Sequence, residues 1–288
     1  MQPSELKALA LRYVPGTGAP LIEPLGAGLV NETYRVRRDD RAYSLRVAGS
    51  GAQDLAPDRG WECQLLARAA EAGIGPVIEC CEPGAAIVVA RWTEGAVWSA
   101  REVRCPENLQ RFAELARRIH ALAAPPGGRV MNPAAWIAHY EAALARHGRG
   151  AGPAVLGLRA AAAGRIRELG ERPPPAPVLC HSDLHTQNLI LSAHGPVLLD
   201  WEYAHLAEPF WDLAGWAGNN DLEPACRHAL LGDYLGRQAG AVESARLDAL
   251  VWLYDYVCLL WSELYLGLRA HAREGVRARA RLLAERLR

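Results

Sequence analysis

The residues best suited to chemistry lie in one short segment and just beyond the apolar run that follows it. Residues 181–188 read His-Ser-Asp-Leu-His-Thr-Gln-Asn, so Asp183 and Asn188 stand in the pattern Asp-x-x-x-x-Asn, and Asp200 ends the next apolar run. One carboxylate can orient an attacking hydroxyl, while an amide and a second carboxylate can hold magnesium on phosphates. Phosphoryl transfer requires this set, and the spacing is that of a kinase catalytic loop with a downstream metal-binding aspartate.

Composition limits the class of protein. The chain has 288 residues, of which 50% are apolar, which is enough for one large or two modest domains with a sizeable core. Its 32 basic and 32 acidic residues cancel, which argues against a nucleic-acid partner. Residues 1–13 predict an amphipathic helix rather than a signal peptide, and residues 251–261 are too short an apolar stretch to cross a bilayer. We therefore expect a cytoplasmic protein without a membrane partner; its oligomeric state stays open.

Cysteine and lysine usage set two further limits. The seven cysteines are odd in number and show no Cys-x-x-Cys spacing, so we expect most of them to be buried free thiols. Lys7 is the only lysine in the chain. A fixed cation for phosphate must therefore be an arginine, and a Gly-Lys-Ser/Thr phosphate loop is excluded.

Periodicity predicts an α+β chain whose character changes near residue 91. Residues 21–91 predict three strands, a helix and two further strands, which together form an antiparallel sheet carrying one helix. Helical patterns then dominate, apart from a short strand at 178–180 and a hairpin over 188–200. We expect a small lobe over residues 1–91, a larger and mainly helical lobe over 92–288, and a ligand site in the cleft between them.

Two motifs, His-Ser-Asp-Leu-His-Thr-Gln-Asn and Leu-Asp-Trp-Glu-Tyr, are typical of one superfamily. On these motifs the chain resembles the aminoglycoside phosphotransferase and choline kinase superfamily, and within it bacterial choline and thiamine kinases, over residues 21–261. The resemblance implies a protein-kinase-like two-lobed fold with ATP and Mg²⁺ as cofactors. It also implies a small-molecule alcohol as the phosphate acceptor.

The resemblance gives a role to each polar residue of the motifs. Asp183 becomes the catalytic base or the group that orients the substrate hydroxyl, and Asn188 and Asp200 become magnesium ligands. A loop aspartate alone more often caps a turn, but the matched spacing of the three favours catalysis. His181 is expected to tether the loop, and Asp212 to start the next helix and hydrogen-bond the loop backbone.

The nucleotide is expected on the N-terminal lobe. Gly26, Gly28 and Asn31 lie in a turn between two strands, where small residues let backbone N–H groups approach phosphates. Glycines between two strands often only make a hairpin. The position of this turn at the start of the small lobe nevertheless favours phosphate binding. By resemblance, backbone groups at Ala90 and Trp92 would bind adenine.

Arg46 lies in the third predicted strand, where protein kinases carry a lysine. The resemblance implies that Arg46 contacts the phosphates and stabilises the transferred charge, with Glu62 of the following helix as its partner. An arginine on the exposed face of a strand is the ordinary alternative.

A cationic acceptor is indicated by aromatic residues in a late helix. Tyr203, Trp261 and Asp255 would bind it, because rings attract a quaternary ammonium or thiazolium ion and an acid adds charge. Glu202, also assigned to this region, either supports a second magnesium ion or lies behind the first ligands. A buried core stripe explains the aromatic residues equally well, and Cys258 stands where the family has a pocket aromatic.

The sequence therefore predicts ATP-dependent phosphorylation of a primary alcohol on a small cation, of choline or thiamine type, without choosing between the two. An aminoglycoside phosphotransferase is an alternative, although its substrates call for acids near the C terminus and residues 271–288 are rich in arginine. A catalytically inactive, kinase-like nucleotide-binding protein is a third interpretation. It is disfavoured because every residue needed for transfer is present.

Overall fold

The computed structural model describes residues 1–27, 29–49, 55, 58–269 and 274–288. Two compact units make up these residues, and each is described by itself. The first unit contains Met1–Val97 and Gln187–Tyr203, and the second contains Trp98–Thr186 and Ala204–Arg288. The expected α+β fold, with a small antiparallel sheet in one part and a larger helical part, is confirmed.

The first unit is built on one antiparallel sheet. Its strands are β1 (Leu21–Ala27), β2 (Asn31–Arg38), β3 (Arg41–Ala48), β4 (Ile78–Glu82) and β5 (Ile87–Arg91). They are ordered β1-β2-β3-β5-β4. Pro24 is tolerated because β1 is an edge strand, and the pairing of β1 with β2 shifts register between Pro24 and Ala27.

Two helices pack on this sheet. Helix α1 (Pro3–Tyr13) buries Ala10 in an apolar cluster that includes Val36, Tyr43 and Leu45 of the sheet. Helix α2 (Arg59–Glu71) begins after Asp58, whose side chain accepts a hydrogen bond from the Trp61 amide at 2.9 Å. The buried stripe of α2 consists of Glu62, Leu65, Leu66 and Ala69. One carboxylate is thus buried among apolar residues and requires charged partners.

A hairpin of β7 (Leu189–Ser192) and β8 (Gly195–Leu198) completes the first unit. Ala96 and Leu191 exchange backbone hydrogen bonds, and the Leu198 amide donates to the Ile74 carbonyl at 2.7 Å. The backbones are so close at Gly95 that a Cβ there would lie 2.5 Å from the Leu191 carbonyl oxygen. These contacts explain why the unit extends past the predicted boundary at residue 91 and includes the hairpin.

Cysteine pairing differs from the expectation. Cys63 of α2 and Cys81 of β4 form a disulfide, with Cα atoms 5.7 Å apart. The five other cysteines are free, but only Cys180 among them is buried. Most cysteines are therefore free, as expected, but the expectation that they are buried is wrong for four of the five. The disulfide could not be predicted from spacing, because only the packing of a helix on a sheet brings Cys63 and Cys81 together.

The second unit is mainly helical. Its helices are α3 (Pro106–His120), α4 (Pro133–Arg146), α5 (Pro153–Gly170), α6 (Phe210–Asn219), α7 (Pro224–Leu235), α8 (Ala241–Leu268) and α9 (Glu274–Arg286). Two short strands, β6 (Val178–Cys180) and β9 (His205–Ala207), pair antiparallel. Helix α8 is long and apolar enough to span a membrane by length and composition, but 67% of its most apolar window is buried inside the protein. That burial is typical of a core helix.

Candidate active site

Five charged side chains of the first unit form one continuous chain of ion pairs. Arg46 on β3 is hydrogen-bonded both to Glu62 of α2 and to Asp200, two residues beyond β8. Arg59, the first residue of α2, lies 2.9 Å from Glu62 and 2.8 Å from Glu202. Three carboxylates therefore share two guanidinium groups, in the order Asp200, Arg46, Glu62, Arg59 and Glu202. The pairing of Arg46 with Glu62 that the resemblance implies is present.

Burial makes these pairs strong and mutually dependent. The Glu62 side chain is 1% exposed, and each of its two oxygens faces a different guanidinium group. Burial alone lowers the pKa of Arg46, but Glu62, Asp200 and Glu202 outweigh that effect and raise it. Burial is the largest cause that raises the pKa of Glu202 to about 8, and the charge of Asp200 is the next. Arg46 and Arg59 oppose this rise. Arg46 therefore stays cationic, as phosphate binding requires.

The two expected metal ligands flank the hairpin, and a backbone hydrogen bond joins their segments. Asn188 ends a short 3₁₀ turn directly before β7, and its carbonyl accepts the Leu199 amide at 2.9 Å. Asp200 follows with φ +61°, a left-handed conformation that few non-glycine residues adopt. Its side chain is 31% exposed, the most accessible of the three acids. An amide oxygen and a carboxylate oxygen are donors that suit a hard divalent cation, so these residues fit Mg²⁺.

The second unit holds Asp183 on a loop that is fastened to a fully buried acid. Asp212, in the first turn of α6, accepts the backbone amides of His181 at 2.9 Å and Ser182 at 2.7 Å. A third bond joins Asp212 to the His120 ring at 3.2 Å. Burial raises the pKa of Asp212, but His120, His181 and the Ser182 amide outweigh that effect and hold it below its usual value. Asp212 is thus an ionised anchor for the loop.

Further bonds fix the backbone on both sides of Asp183. Ser182 has φ +68°, and its carbonyl accepts the Tyr254 hydroxyl at 3.3 Å. Asn219 donates to the Leu184 carbonyl at 3.1 Å and contacts the Tyr254 hydroxyl at 3.0 Å. A strained residue held by several bonds is a common feature of catalytic loops. These bonds on both sides fix the backbone that carries Asp183.

Three histidines surround this loop. The His181 ring accepts the Asp183 amide at 3.3 Å, which is a tether of the kind expected for it. His185 Nε2 lies 3.6 Å from the Asp183 carboxylate. The buried His205 accepts the Trp136 indole N–H on Nε2, so its Nδ1–H donates to the Ser182 hydroxyl at 3.0 Å. No sequence pattern singles out His205, because it belongs to no motif and its strand, His-Leu-Ala, lacks a run of strand-forming residues.

The glycine-rich turn and the predicted adenine contacts are only partly described. Gly28 lies outside the described residues, and Gly26 belongs to β1. The Asn31 side chain donates to Glu202 at 2.9 Å and accepts from Arg59, so this uncharged amide is hydrogen-bonded to two members of the chain of ion pairs. Ala90 is buried in the sheet. The Trp92 amide donates to the Ala42 carbonyl at 3.0 Å, so this N–H is already used and any adenine contact at Trp92 falls to its carbonyl.

The predicted acceptor-binding residues lie in different surroundings. On α8, Trp261 is half-buried and stacks on Tyr265 with ring centroids 5.2 Å apart. Asp255, on the same helix, is buried and is hydrogen-bonded to Arg286 of α9. Tyr203, in the first unit, is half-buried in a short 3₁₀ turn that also contains Glu202. Because an arginine engages its carboxylate, Asp255 is less suited than Trp261 to attract a cation.

Asp255 gives the protein a pH-dependent stability. Burial raises its pKa to about 6, although Arg286 and Arg279 oppose the shift. Between about pH 4 and 6 the folded state holds a proton that the unfolded state has lost, so the free energy of unfolding falls as pH rises through this window. This decrease amounts to at most about 3 kcal/mol, and we expect it to be absent in Asp255→Asn. Urea unfolding of both proteins at pH 4.5 and 7 measures it; parallel pH profiles would exclude this role.

The family is shown by comparison with known proteins. A model of the phosphotransferase enzyme family matches residues 21–248. The chain therefore belongs to the phosphotransferase enzyme family. No curated protein sequence matches it.

Solved structures share the fold over almost the whole chain. A choline/ethanolamine kinase family protein from Mesorhizobium loti has a TM-score of 0.79 at 23% identity, over 100% of this chain and 94% of that one. Choline kinase LicA from Streptococcus pneumoniae has a TM-score of 0.80 at 20% identity, over 99% and 98%. A spectinomycin phosphotransferase has a TM-score of 0.62 at 13% identity, over 99% and 97%. The predicted resemblance to this superfamily is confirmed, and at these identities the likeness concerns the fold.

Proposed function

We propose that the protein transfers the γ-phosphoryl group of ATP to a primary alcohol of a small cationic acceptor, of choline or thiamine type. The observation that carries this proposal is the anchored loop that presents Asp183, whose flanking amides are bonded to buried Asp212. Among proteins of similar fold, LicA is known in complex with AMP and a spectinomycin phosphotransferase in complex with ADP, which supports a nucleotide as donor. ATP use also favours a cytoplasmic location.

In the proposed mechanism, Asp183 orients the acceptor hydroxyl and takes its proton as the bond from that oxygen to the γ-phosphorus forms. The bond between the γ-phosphorus and the β–γ bridging oxygen of ATP breaks in the same step, and ADP leaves with that oxygen. Asn188 and Asp200 are the residues that would hold Mg²⁺, which when bound neutralises charge on the phosphates. Arg46 supplies a fixed cation whose planar guanidinium matches phosphate oxygens. Glu62 keeps Arg46 in place through a buried ion pair. Transfer then depends on position and electrostatics rather than on a covalent intermediate.

The acceptor class is inferred from proteins of similar fold and from aromatic side chains. Two proteins of similar fold are named for choline or ethanolamine, which are small cationic alcohols. Trp261 offers an aromatic face of the kind that attracts such cations, and Tyr203 is a second candidate. An aminoglycoside acceptor is favoured only by the fold of the spectinomycin phosphotransferase. Arg277, Arg281 and Arg288 of the C-terminal segment argue against a polyamine acceptor.

A coupled assay of ADP release from MgATP tests the proposal. The panel is choline, ethanolamine, thiamine, spectinomycin and an aminoglycoside, with magnesium omitted as a control. We expect magnesium-dependent turnover with at least one of the first three. Turnover confined to the antibiotics would establish the alternative. Nucleotide binding without turnover on any acceptor would leave an inactive binding protein.

A further inference from the structure

Arg59 occupies a position that helix stability does not explain. It is the first residue of α2, directly after the capping residue Asp58. The N-terminus of a helix carries partial positive charge, so a cation in the first turn is disfavoured by about 0.3–1 kcal/mol. The residues that Arg59 contacts must therefore account for its presence there.

Among the residues that the structure describes, Arg59 hydrogen-bonds to three side chains. Arg59 Nη1 donates to Glu62 at 2.9 Å and to Glu202 at 2.8 Å, while Nη2 donates to the Asn31 side-chain oxygen at 2.8 Å. The amide of Asn31 donates to the same oxygen of Glu202 that Arg59 contacts, at 2.9 Å. A single guanidinium thus joins α2, the start of β2 and the turn after β8. A lysine, with one compact ammonium group, could not reproduce this fork.

The charge balance of this cluster depends on whether Glu202 is protonated. Arg46 and Arg59 face Glu62, Glu202 and Asp200, so the charges balance when Glu202 holds a proton and leave one negative charge in excess when it is ionised. Loss of Arg59 adds one uncompensated negative charge in either state, and Arg46 is then the remaining cation of the cluster. Because the side chains of Glu62 and Glu202 are both at least nine-tenths buried, water cannot screen them. Arg46 would then be held more tightly by carboxylates and less by phosphates.

We propose that Arg59 is a positioning residue for the nucleotide: its forked contacts hold Glu202 and Glu62 in place, so that Arg46 stays directed toward the phosphates. This inference rests on the proposed function, because it takes Arg46 as the phosphate-binding cation. It assigns Arg59 no contact with the nucleotide or the acceptor. Its loss should therefore affect nucleotide affinity and leave the Michaelis constant of the acceptor unchanged.

The first test compares Arg59→Gln with Arg37→Gln by calorimetric titration of MgADP. Arg37 is a matched control, since it lies on β2 in the same unit but pairs with Glu23 on the exposed surface. We expect the dissociation constant to rise about tenfold in R59Q and to stay within twofold in R37Q. Equal affinity of R59Q and the parent protein would overturn the inference.

The second test separates charge balance from a merely structural role. Glu202→Gln removes the carboxylate that Arg59 contacts, so R59Q in the E202Q background should cost less than twofold in MgADP affinity. A full tenfold loss in that background would show that Arg59 acts otherwise. If R59Q alone does not fold, the double variant is compared with E202Q instead, because it removes both partners of one ion pair.

These outcomes are distinct from failure of the proposed function. If the parent protein binds no MgADP, the kinase assignment fails, and the inference about Arg59 fails with it. If it binds MgADP but turns over no acceptor, the comparison of R59Q with E202Q still decides the role of Arg59. Arg59→Lys should give an intermediate dissociation constant, because it keeps the charge and loses the fork.

Discussion

Replacing Asp183 with alanine is expected to lower phosphoryl transfer about 10³-fold while leaving the dissociation constant of MgADP within twofold. A general base typically contributes 10²–10⁴-fold, and this residue is proposed both to orient the hydroxyl and to accept its proton. The loop should keep its shape, because Ser182 and Leu184 on either side are held through their backbone by Asp212, Tyr254 and Asn219. The measurements are initial rates with the acceptor found in the panel and calorimetric titration of MgADP.

Two further variants, D183N and D248N, serve as comparisons for D183A. Asp183→Asn retains size and one oxygen but is not a base, so a similar loss in D183N would show that proton acceptance matters beyond orientation. Asp248→Asn is a matched control on α8, since this acid is 40% exposed and pairs with Arg227 and His228 at the surface. Transfer in D248N should be unchanged. Turnover of D183A near that of the parent protein would remove Asp183 from the mechanism.

Local patterns were sufficient to predict most elements of the fold. Alternation predicted the strands before residue 91, and amphipathic spacing predicted helices such as α3, because each signal reflects a face that must be buried. The catalytic-loop motif was equally local, since Asp183 and Asn188 lie on one short segment and Asp200 follows a short hairpin. Strand β9 escaped prediction because His-Leu-Ala lacks the β-branched apolar run that marks the equally short β6, Val-Leu-Cys.

The contacts that organise the candidate site were much harder to predict. Arg59 and Glu202 meet across 143 residues of sequence, and His120 and Asp212 across 92. No periodicity encodes such pairs, which form only when whole elements pack. A cation at the start of α2, where the helix disfavours it, was nevertheless a readable signal for Arg59. The disulfide between Cys63 and Cys81 had no comparable signal, because cysteine spacing is uninformative without the fold.

Asp212→Asn should be the most destabilising conservative substitution at the site. The carboxylate is fully buried and accepts from two backbone amides and from the His120 ring. An asparagine has one acceptor oxygen, so at least one buried donor loses its partner, and a buried ionic network is broken. We expect a loss of about 3 kcal/mol in the free energy of unfolding, measured by urea denaturation. Amide hydrogen exchange at His181 and Ser182 should accelerate with it.

The pH dependence of this loss identifies the carboxylate charge as its cause. The pKa of Asp212 is lower in the folded protein than its ordinary value, so its stabilising contribution is complete above the unfolded pKa of about 3.9. It is lost as pH falls from the unfolded pKa through the lowered folded pKa, because the unfolded state there takes up a proton that the folded state does not yet bind. The difference between D212N and the parent protein should therefore be constant above about pH 5 and shrink in more acidic solution. A difference that stays constant into acid would mean that hydrogen-bond geometry rather than charge anchors the loop that presents Asp183.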